Sequence, residues 1–463
     1  MRLVKLIISK KINELALKSW TICALLLFLV NVAKAQDNSP YSRYGIGDLM
    51  PNSNIATRGM GGISAGFIDM VSVNFNNPAS YSQFKTFLEE KTLKSMSGRV
   101  VLDIGTNFDN RTIKSTTGPE KFTSSNAIFS YMQMGIPIKN NIGMSFGLRP
   151  VSRIGYHITK REKLIDPLTN KPIDSALTEF KGDGGSYLAS TGAGFAFKNW
   201  SVGFNVGYLF GNKNYTSKRA LLNDTVAYHN ANYTTKTSYG NLHVNFGTQY
   251  KIDINKSTTI RLGAYGSLQQ KLNASTDLLR ETFIRNATAG DFTLDSVSYQ
   301  RNILGDIIMP SNLGVGFVYE RMLDKNSPGL LFGVDFVQTQ WENYRYYGQT
   351  DLVQNNWQLK FGGQLRPTPT RNYWSNVAFR AGFFFGPDYI NVKKSLSQYG
   401  VSFGLELPVA NYNRLSPGQF TRLNLSFEYI NRGNNNNLLK DNNFRISAGF
   451  NLSDIWFRKT RYE

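Results

Sequence analysis

Apolar and polar positions trade places residue by residue along most of the chain, the period of a β-strand rather than of a helix. In "SVGFNVGYLFG" one face carries Val202, Phe204, Val206, Tyr208 and Phe210, and the other Gly203, Asn205 and Gly207. In "RLNLSFEYI", Leu423, Leu425, Phe427 and Tyr429 oppose Asn424, Ser426 and Glu428. "FRISAGFNL" sets Phe444, Ile446, Ala448 and Phe450 against Arg445, Ser447, Gly449 and Asn451. The pattern predicts fourteen strands, near 95–108, 124–138, 142–159, 184–198, 200–215, 234–252, 258–278, 310–321, 329–344, 355–367, 372–390, 400–409, 422–433 and 442–456.

Alternation alone also suits a soluble sandwich or an adhesin; the connections separate them. Tight links near 139 and Asn199 alternate with excursions expected over 160–183, 212–233 and 279–309, the asymmetry of an outer-membrane barrel. An even strand number returns the chain to its starting side, and strands above ten residues suit tilted spans. The expectation is an all-β fold: a 14-stranded antiparallel transmembrane β-barrel in the outer membrane of a Gram-negative bacterium.

Composition agrees. Glycine numbers 41 and aromatics make up 13% of the chain, as in a glycine- and aromatic-rich β protein. The mean hydropathy of −0.31 resembles that of a soluble chain. Residues 1–35 carry basic residues, the run "WTICALLLFLV" and a small-residue "AKA", which predicts a secretory signal. As a membrane anchor the run is short against the roughly 20 apolar residues a span needs. The one cysteine, Cys23, falls in this leader, so a disulfide framework, thiolate metal site or cysteine nucleophile is excluded from the remainder. The leader accounts for +5 of the formal +20. The remaining +15 is scattered singly among strands and turns, which favours outer-membrane lipid and lipopolysaccharide as partners and speaks against nucleic acid.

Residues 36–94 precede the barrel (95–463) and lack sustained alternation. They are too glycine-rich for a core of their own, and an irregular backbone is satisfied if it packs inside a polar lumen. Within them, "RGMGGISAGF" leads to "FNNPASYSQF", where Asn76 and Asn77 bond locally and Pro78 fixes φ, making a rigid non-helical corner. With fourteen strands following, Asn77-Pro78-Ala79 resembles the hatch motif of the long-chain fatty acid transporter (FadL-like) family of outer-membrane barrels. "SPYSRYGIGDL", "GDGGSYLASTGAGFAFKNWSVGFNVGYLFG" and "DIWFRKTRYE" look like the version found in Bacteroidota. The resemblance implies an N-terminal hatch, residues 36–94, plugging the lumen through Asn77, Pro78 and Ala79.

Pro150 falls inside the third predicted strand, where proline removes a ladder hydrogen bond and marks an edge or bulge. By the resemblance it is a candidate for a kink that opens the wall sideways; a strand-end kink is the alternative. Arg149, Arg261, Arg380 and Arg445 fall on or near inward faces and are candidates to hold the carboxylate of an amphipathic ligand. Such charges also pair with one another across a lumen. "DSA", "DTV" and "DSV" resemble O-glycosylation sites of Bacteroidota, naming Ser175, Thr225 and Ser296; Asp-Ser and Asp-Thr also simply favour turns.

No catalytic constellation emerges. "GISAG" around Ser64 fits the nucleophile-elbow spacing but lacks the hydrophobic strand before it. His157, His229 and His243 have no ligand spacing, so neither metal nor cofactor is expected. The expected function is uptake of hydrophobic or amphipathic, fatty-acid-like molecules through a plugged lumen, without catalysis. The alternative is a non-transporting accessory subunit of a larger outer-membrane secretion or insertion complex.

Overall fold

The computed structural model describes residues 39–84, 87–88, 95–96, 99–222, 229–286, 290–324, 327–409 and 420–456. The expected leader (1–35), Thr225 and the end of "DIWFRKTRYE" lie outside the described residues.

Among the described residues sixteen long strands follow one another: β1 (Arg99–Ser115), β2 (Lys121–Lys139), β3 (Ile142–Ile165), β4 (Pro172–Phe197), β5 (Trp200–Leu221), β6 (Asn230–Asp253), β7 (Thr258–Ser267), β8 (Gln270–Asn286), β9 (Gly290–Met309), β10 (Asn312–Arg321), β11 (Gly329–Thr339), β12 (Asn356–Arg366), β13 (Ala378–Val392), β14 (Lys394–Val409), β15 (Phe420–Arg432) and β16 (Leu439–Ile455). Fourteen close the ring. β7 pairs with β6 on one side and β10 on the other, and β16 returns to β1, every pairing antiparallel. β8 and β9 stand outside the ring as a hairpin: β8 continues the upper half of β6 from Asn273↔Gly240 to Phe283↔Asn230, and β9 pairs with β8.

The long excursions expected over 160–183, 212–233 and 279–309 are therefore a correction. Strands β3 to β6 run on to Ile165, from Pro172, to Leu221 and from Asn230, and 279–309 is largely the β8–β9 hairpin. Asn, Asp, Gly and Lys in these stretches are depleted in strands on average, but pairing to an existing neighbour overrides that weak preference. Short links at 115–121 and 392–394 also break the expected alternation at the long-loop end.

The barrel is polar inside and apolar outside. Val202, Phe204, Tyr208 and Phe210 are exposed on the outer face of β5 while Asn205 is buried; on β15 Asn424, Ser426 and Glu428 are buried while Tyr429 is exposed. That inversion suits a wall whose outer solvent is lipid. No helix among the described residues is long and apolar enough to cross a membrane.

Residues 39–84 are enclosed by the ring and almost wholly buried. Wall side chains from every quarter bond their backbone. Asp103 on β1 accepts from Val73 N (2.9 Å), Asp335 on β11 from Ala65 N (2.8 Å) and Ser402 on β14 from Gly61 N (2.9 Å). Asn205 on β5, Gln249 on β6 and Asn451 on β16 donate to the carbonyls of Phe75, Ala65 and Val71. Polar strand faces thus satisfy a backbone that lacks a ladder of its own. The segment enters at the long-connection end, where Tyr41 and Ile46 pack with Trp341, Tyr344 and Tyr389, and leaves at the short-turn end, where Tyr81 and Phe84 lie against Gly143.

Candidate functional site

The corner at Asn77 is seated in a window of glycines. Asn77 Oδ1 accepts from Ala79 N (3.2 Å) and caps a 3-10 turn, Pro78–Gln83; its Nδ2 donates to Ala65 O (2.7 Å) and Thr248 O (3.1 Å). Pro78 and Asn77 press on the wall where side chains are missing. A Cβ at Gly203 would lie 2.4 Å from Pro78 C, one at Gly194 2.5 Å from Pro78 O, and one at Gly247 2.1 Å from Asn77 Oδ1. Three neighbouring strands, β4, β5 and β6, give up a side chain so that this corner can touch their backbone.

Above it lies a cavity of about 320 Å³ between residues 46–62 and the wall. It has two kinds of lining. Val151, Leu188, Leu209, Met309, Trp341 and Phe384 supply apolar surface, whereas Arg58, Arg111, Arg432, Arg445, Asp388 and Asp441 supply charge. Most of the charges are matched. Arg432 contacts Asp48 (2.8 Å) and Asp388, Arg111 contacts Asp48 and Asp441 (3.3 Å), and Arg445 contacts Asp109 (2.6 Å). Pairing of this density is what buried charge requires. Arg58 is held by neutral acceptors, Asn107 Oδ1 (2.6 Å), Ser53 O (2.8 Å) and Ser130 Oγ (2.7 Å). Arg149 bonds Asn52 and lies 5.0 Å from the Phe75 ring centre. Lys360 also lines the cavity.

The wall is discontinuous beside this cavity. Pairing between β2 and β3 runs from Lys139↔Ile142 only as far as Met132↔Leu148. Beyond that, β2 continues with β1 alone and β3 with β4 alone. Pro150 sits at the break: Pro150↔Tyr187 is followed by Ser152↔Ser186, leaving Val151 as the extra residue of a bulge. Seven steps at about 3.3 Å and a tilt near 40° climb about 18 Å, so the seam opens inside an apolar band about 25 Å tall. Only residues 48–49 of the N-terminal segment fill it as a strand, Asp48 opposite Arg153 and Leu49 opposite Ser152. Leu49, Met50, Arg149 and Val151 border both seam and cavity.

Of the four arginines singled out in the sequence, Arg149 and Arg445 line the cavity. Arg261 lies elsewhere, 3.5 Å from Glu320, and Arg380 is buried against Glu406, which also meets Arg366 (3.0 Å) and Arg422 (2.8 Å). Ser175 is half-buried on β4 and Ser296 exposed on β9. Ser64 is buried, 3.3 Å from the Tyr265 hydroxyl, with neither strand before it nor helix after it. His243 borders the cavity. Arg58, Lys360, Asp388 and Asp48 escaped sequence reasoning. A charged residue carries no local mark of burial; Gly45 and Gly47, which take positive φ in the structure, are the sequence feature that could have pointed to a sharply folded segment around Asp48.

A family model described as BamG matches residues 16–463. No curated protein matches the chain. Among solved structures, the toluene transporter TodX of Pseudomonas putida superposes with a TM-score of 0.53 at 14% identity, covering 89% of this chain and 100% of that one. A FadL homologue of Pseudomonas aeruginosa gives 0.49 at 13% identity, with 88% and 98% covered. At 14% identity the likeness to TodX speaks to the fold alone, a 14-stranded barrel.

Proposed function

The chain belongs to the BamG family, and from that premise we propose that it is an outer-membrane barrel for uptake of hydrophobic or amphipathic small molecules, taken into the lumen cavity and passed sideways through the β2–β3 seam. The observation that carries this reading is the junction of cavity and seam at Leu49, Met50, Arg149 and Val151. The apolar lining suits a chain or ring, while Arg149 and Lys360 suit an anionic head; a hydrogen bond to a charged group is worth roughly 1.5–3 kcal/mol. Residues 36–94 act as the hatch, with Asn77-Pro78-Ala79 as its fixed foot and Pro150 as the kink that keeps the wall apart. No reaction is catalysed. The outer band contacts outer-membrane lipid and lipopolysaccharide, and Ser175, Thr225 and Ser296 are acceptors for glycans at the outer end.

A second reading, a subunit of a larger outer-membrane assembly, is favoured by one feature. β9 pairs on one side only along most of its length, and residues 290–302 are exposed on both faces apart from Ser298. Phe292, Leu294, Val297 and Tyr299 are among the exposed apolar side chains. Such an edge above the membrane suits a protein partner.

One experiment separates the readings. The native protein, purified from outer membranes in mild detergent, is analysed by mass spectrometry for bound lipids and stoichiometric proteins. A lone barrel carrying fatty acids or other hydrophobes is the expected result. A stable complex with no bound lipid would replace uptake by the subunit reading.

A further inference from the structure

We propose that residues 42–50 are a removable strap, a piece of borrowed wall whose release from β3 opens the seam and whose ionic anchor at Asp48 sets how readily it lets go. The inference rests on the uptake reading for its purpose but not for its geometry.

The strap follows the free edge of β3 residue by residue. Ser42 Oγ accepts from Gly155 N (3.2 Å), Ile46 O accepts from Ser152 Oγ (2.7 Å), and Met50 N donates to Val151 O (2.9 Å). Asp48 and Leu49 pair with Arg153 and Ser152 between those points. Gly47, at φ +103°, comes so close that a Cβ would lie 2.7 Å from Arg153 O. These contacts give part of the β3 edge the partners that β2 does not supply, which matters where the hydrocarbon offers none.

A strand addition this short is weak by itself. Two paired residues form no lasting ladder, and the strap carries a glycine on either side of Ile46, which raises the entropy regained on release. Its hold comes from the lumen side, where Asp48 is clamped between Arg111 and Arg432, guanidiniums on β1 and β15 across the cavity from β3. Those same arginines are shared with Asp441 and Asp388. If Asp48 leaves, both cations keep a carboxylate, so release does not strand a bare charge. A ligand head that competes for Arg111 or Arg432 would therefore loosen the strap from inside. Gly45 adds a second point of control: its amide donates to Asp351 (2.7 Å) and its carbonyl accepts from Lys213 (2.6 Å) and the Tyr344 hydroxyl (3.1 Å), tying the strap to β5 and to the connection between β11 and β12.

The paired positions give a direct test, because the only cysteine, Cys23, lies in the predicted leader. Leu49→Cys with Ser152→Cys places two thiols on facing antiparallel residues, within range of a disulfide. Radiolabelled oleate uptake is measured in cells carrying the oxidised and the reduced pair. In parallel, Val151→Cys in lipid nanodiscs is labelled with pyrenyl maleimide, with and without Asp48→Asn, on protein first shown to be folded by heat-modifiable migration. The strap predicts loss of uptake on oxidation, recovery on reduction, and labelling at least about fivefold faster with Asp48→Asn, roughly 1 kcal/mol of anchor. Undiminished uptake by the oxidised pair, or equal labelling rates, overturns the strap. Faster labelling with no oleate uptake by any form, native included, leaves the strap standing and removes the uptake reading.

Discussion

Two junctions of the same ring, separated by only two strands, are built in opposite ways. Between β16 and β1 every residue from Leu439 to Ile455 has a partner, and the lumen face beside it is laced by Arg445–Asp109 and by Arg111–Asp441. Between β2 and β3 the ladder stops at Met132↔Leu148, and the strand that fills part of the gap comes from elsewhere in the sequence. A membrane wall tolerates unpaired backbone only where protein covers it. The contrast places continuous pairing and dense ion pairs on the β13–β16–β1 side and an interrupted ladder on the β2–β3 side, the side that the proposed sideways route would use.

The largest expected effect lies on the rigid side. Arg380→Ala leaves Glu406 with Arg366 and Arg422 but removes the hydrogen bonds to Glu406, Asn424 and Gln364, so the barrel loses about 2–4 kcal/mol, read as a lower denaturant midpoint. Amide exchange along the seam stays unchanged. Next comes the seat of the hatch. Gly203→Ala drives a methyl into Pro78, costs about 1–3 kcal/mol and makes residues 77–83 accessible to added protease, with the β16–β1 junction unaffected.

Pro150→Ala is smaller, within about 1 kcal/mol of the native stability, because the bulge at Val151 and the end of pairing at Leu148 remain; its signature is slower amide exchange around residue 150. The smallest effect is at the hairpin tip. Asp291 is opposed by partial burial, yet hydrogen bonds from Arg285 and Lys218 hold its carboxyl below the ordinary range. A depressed carboxylate lends stability above its unfolded value that is lost as pH falls through the folded value. The β8–β9 hairpin should therefore exchange faster from about pH 4 downward, with little change in the ring.

The sequence announced the ring because a barrel wall is local in its logic: each strand must alternate, and Asn424, Ser426 and Glu428 fall inward as their spacing requires. Asn77-Pro78 and Pro150 stand out in the sequence because each acts through its own backbone, in a capped 3-10 turn and beside a bulge. The β8–β9 hairpin stayed hidden because its composition resembles a loop and only pairing with β6 makes it strand. The strap stayed hidden for a different reason. "GIGDL" has no strand pattern; it is straight at Asp48 and Leu49 only because β3, about a hundred residues later, leaves an edge there. Arg58 and Lys360 were invisible as lumen residues because a charged side chain carries no local mark of burial.

The claim that one side of this barrel is built to open is tested most directly by hydrogen–deuterium exchange of the native protein in lipid nanodiscs, resolved by peptide. Slow exchange throughout β1 and β16, with much faster exchange in residues 121–131 and 149–158, is the result predicted. Equal protection at both junctions would mean that the seam is sealed in the membrane, and would contradict a sideways route.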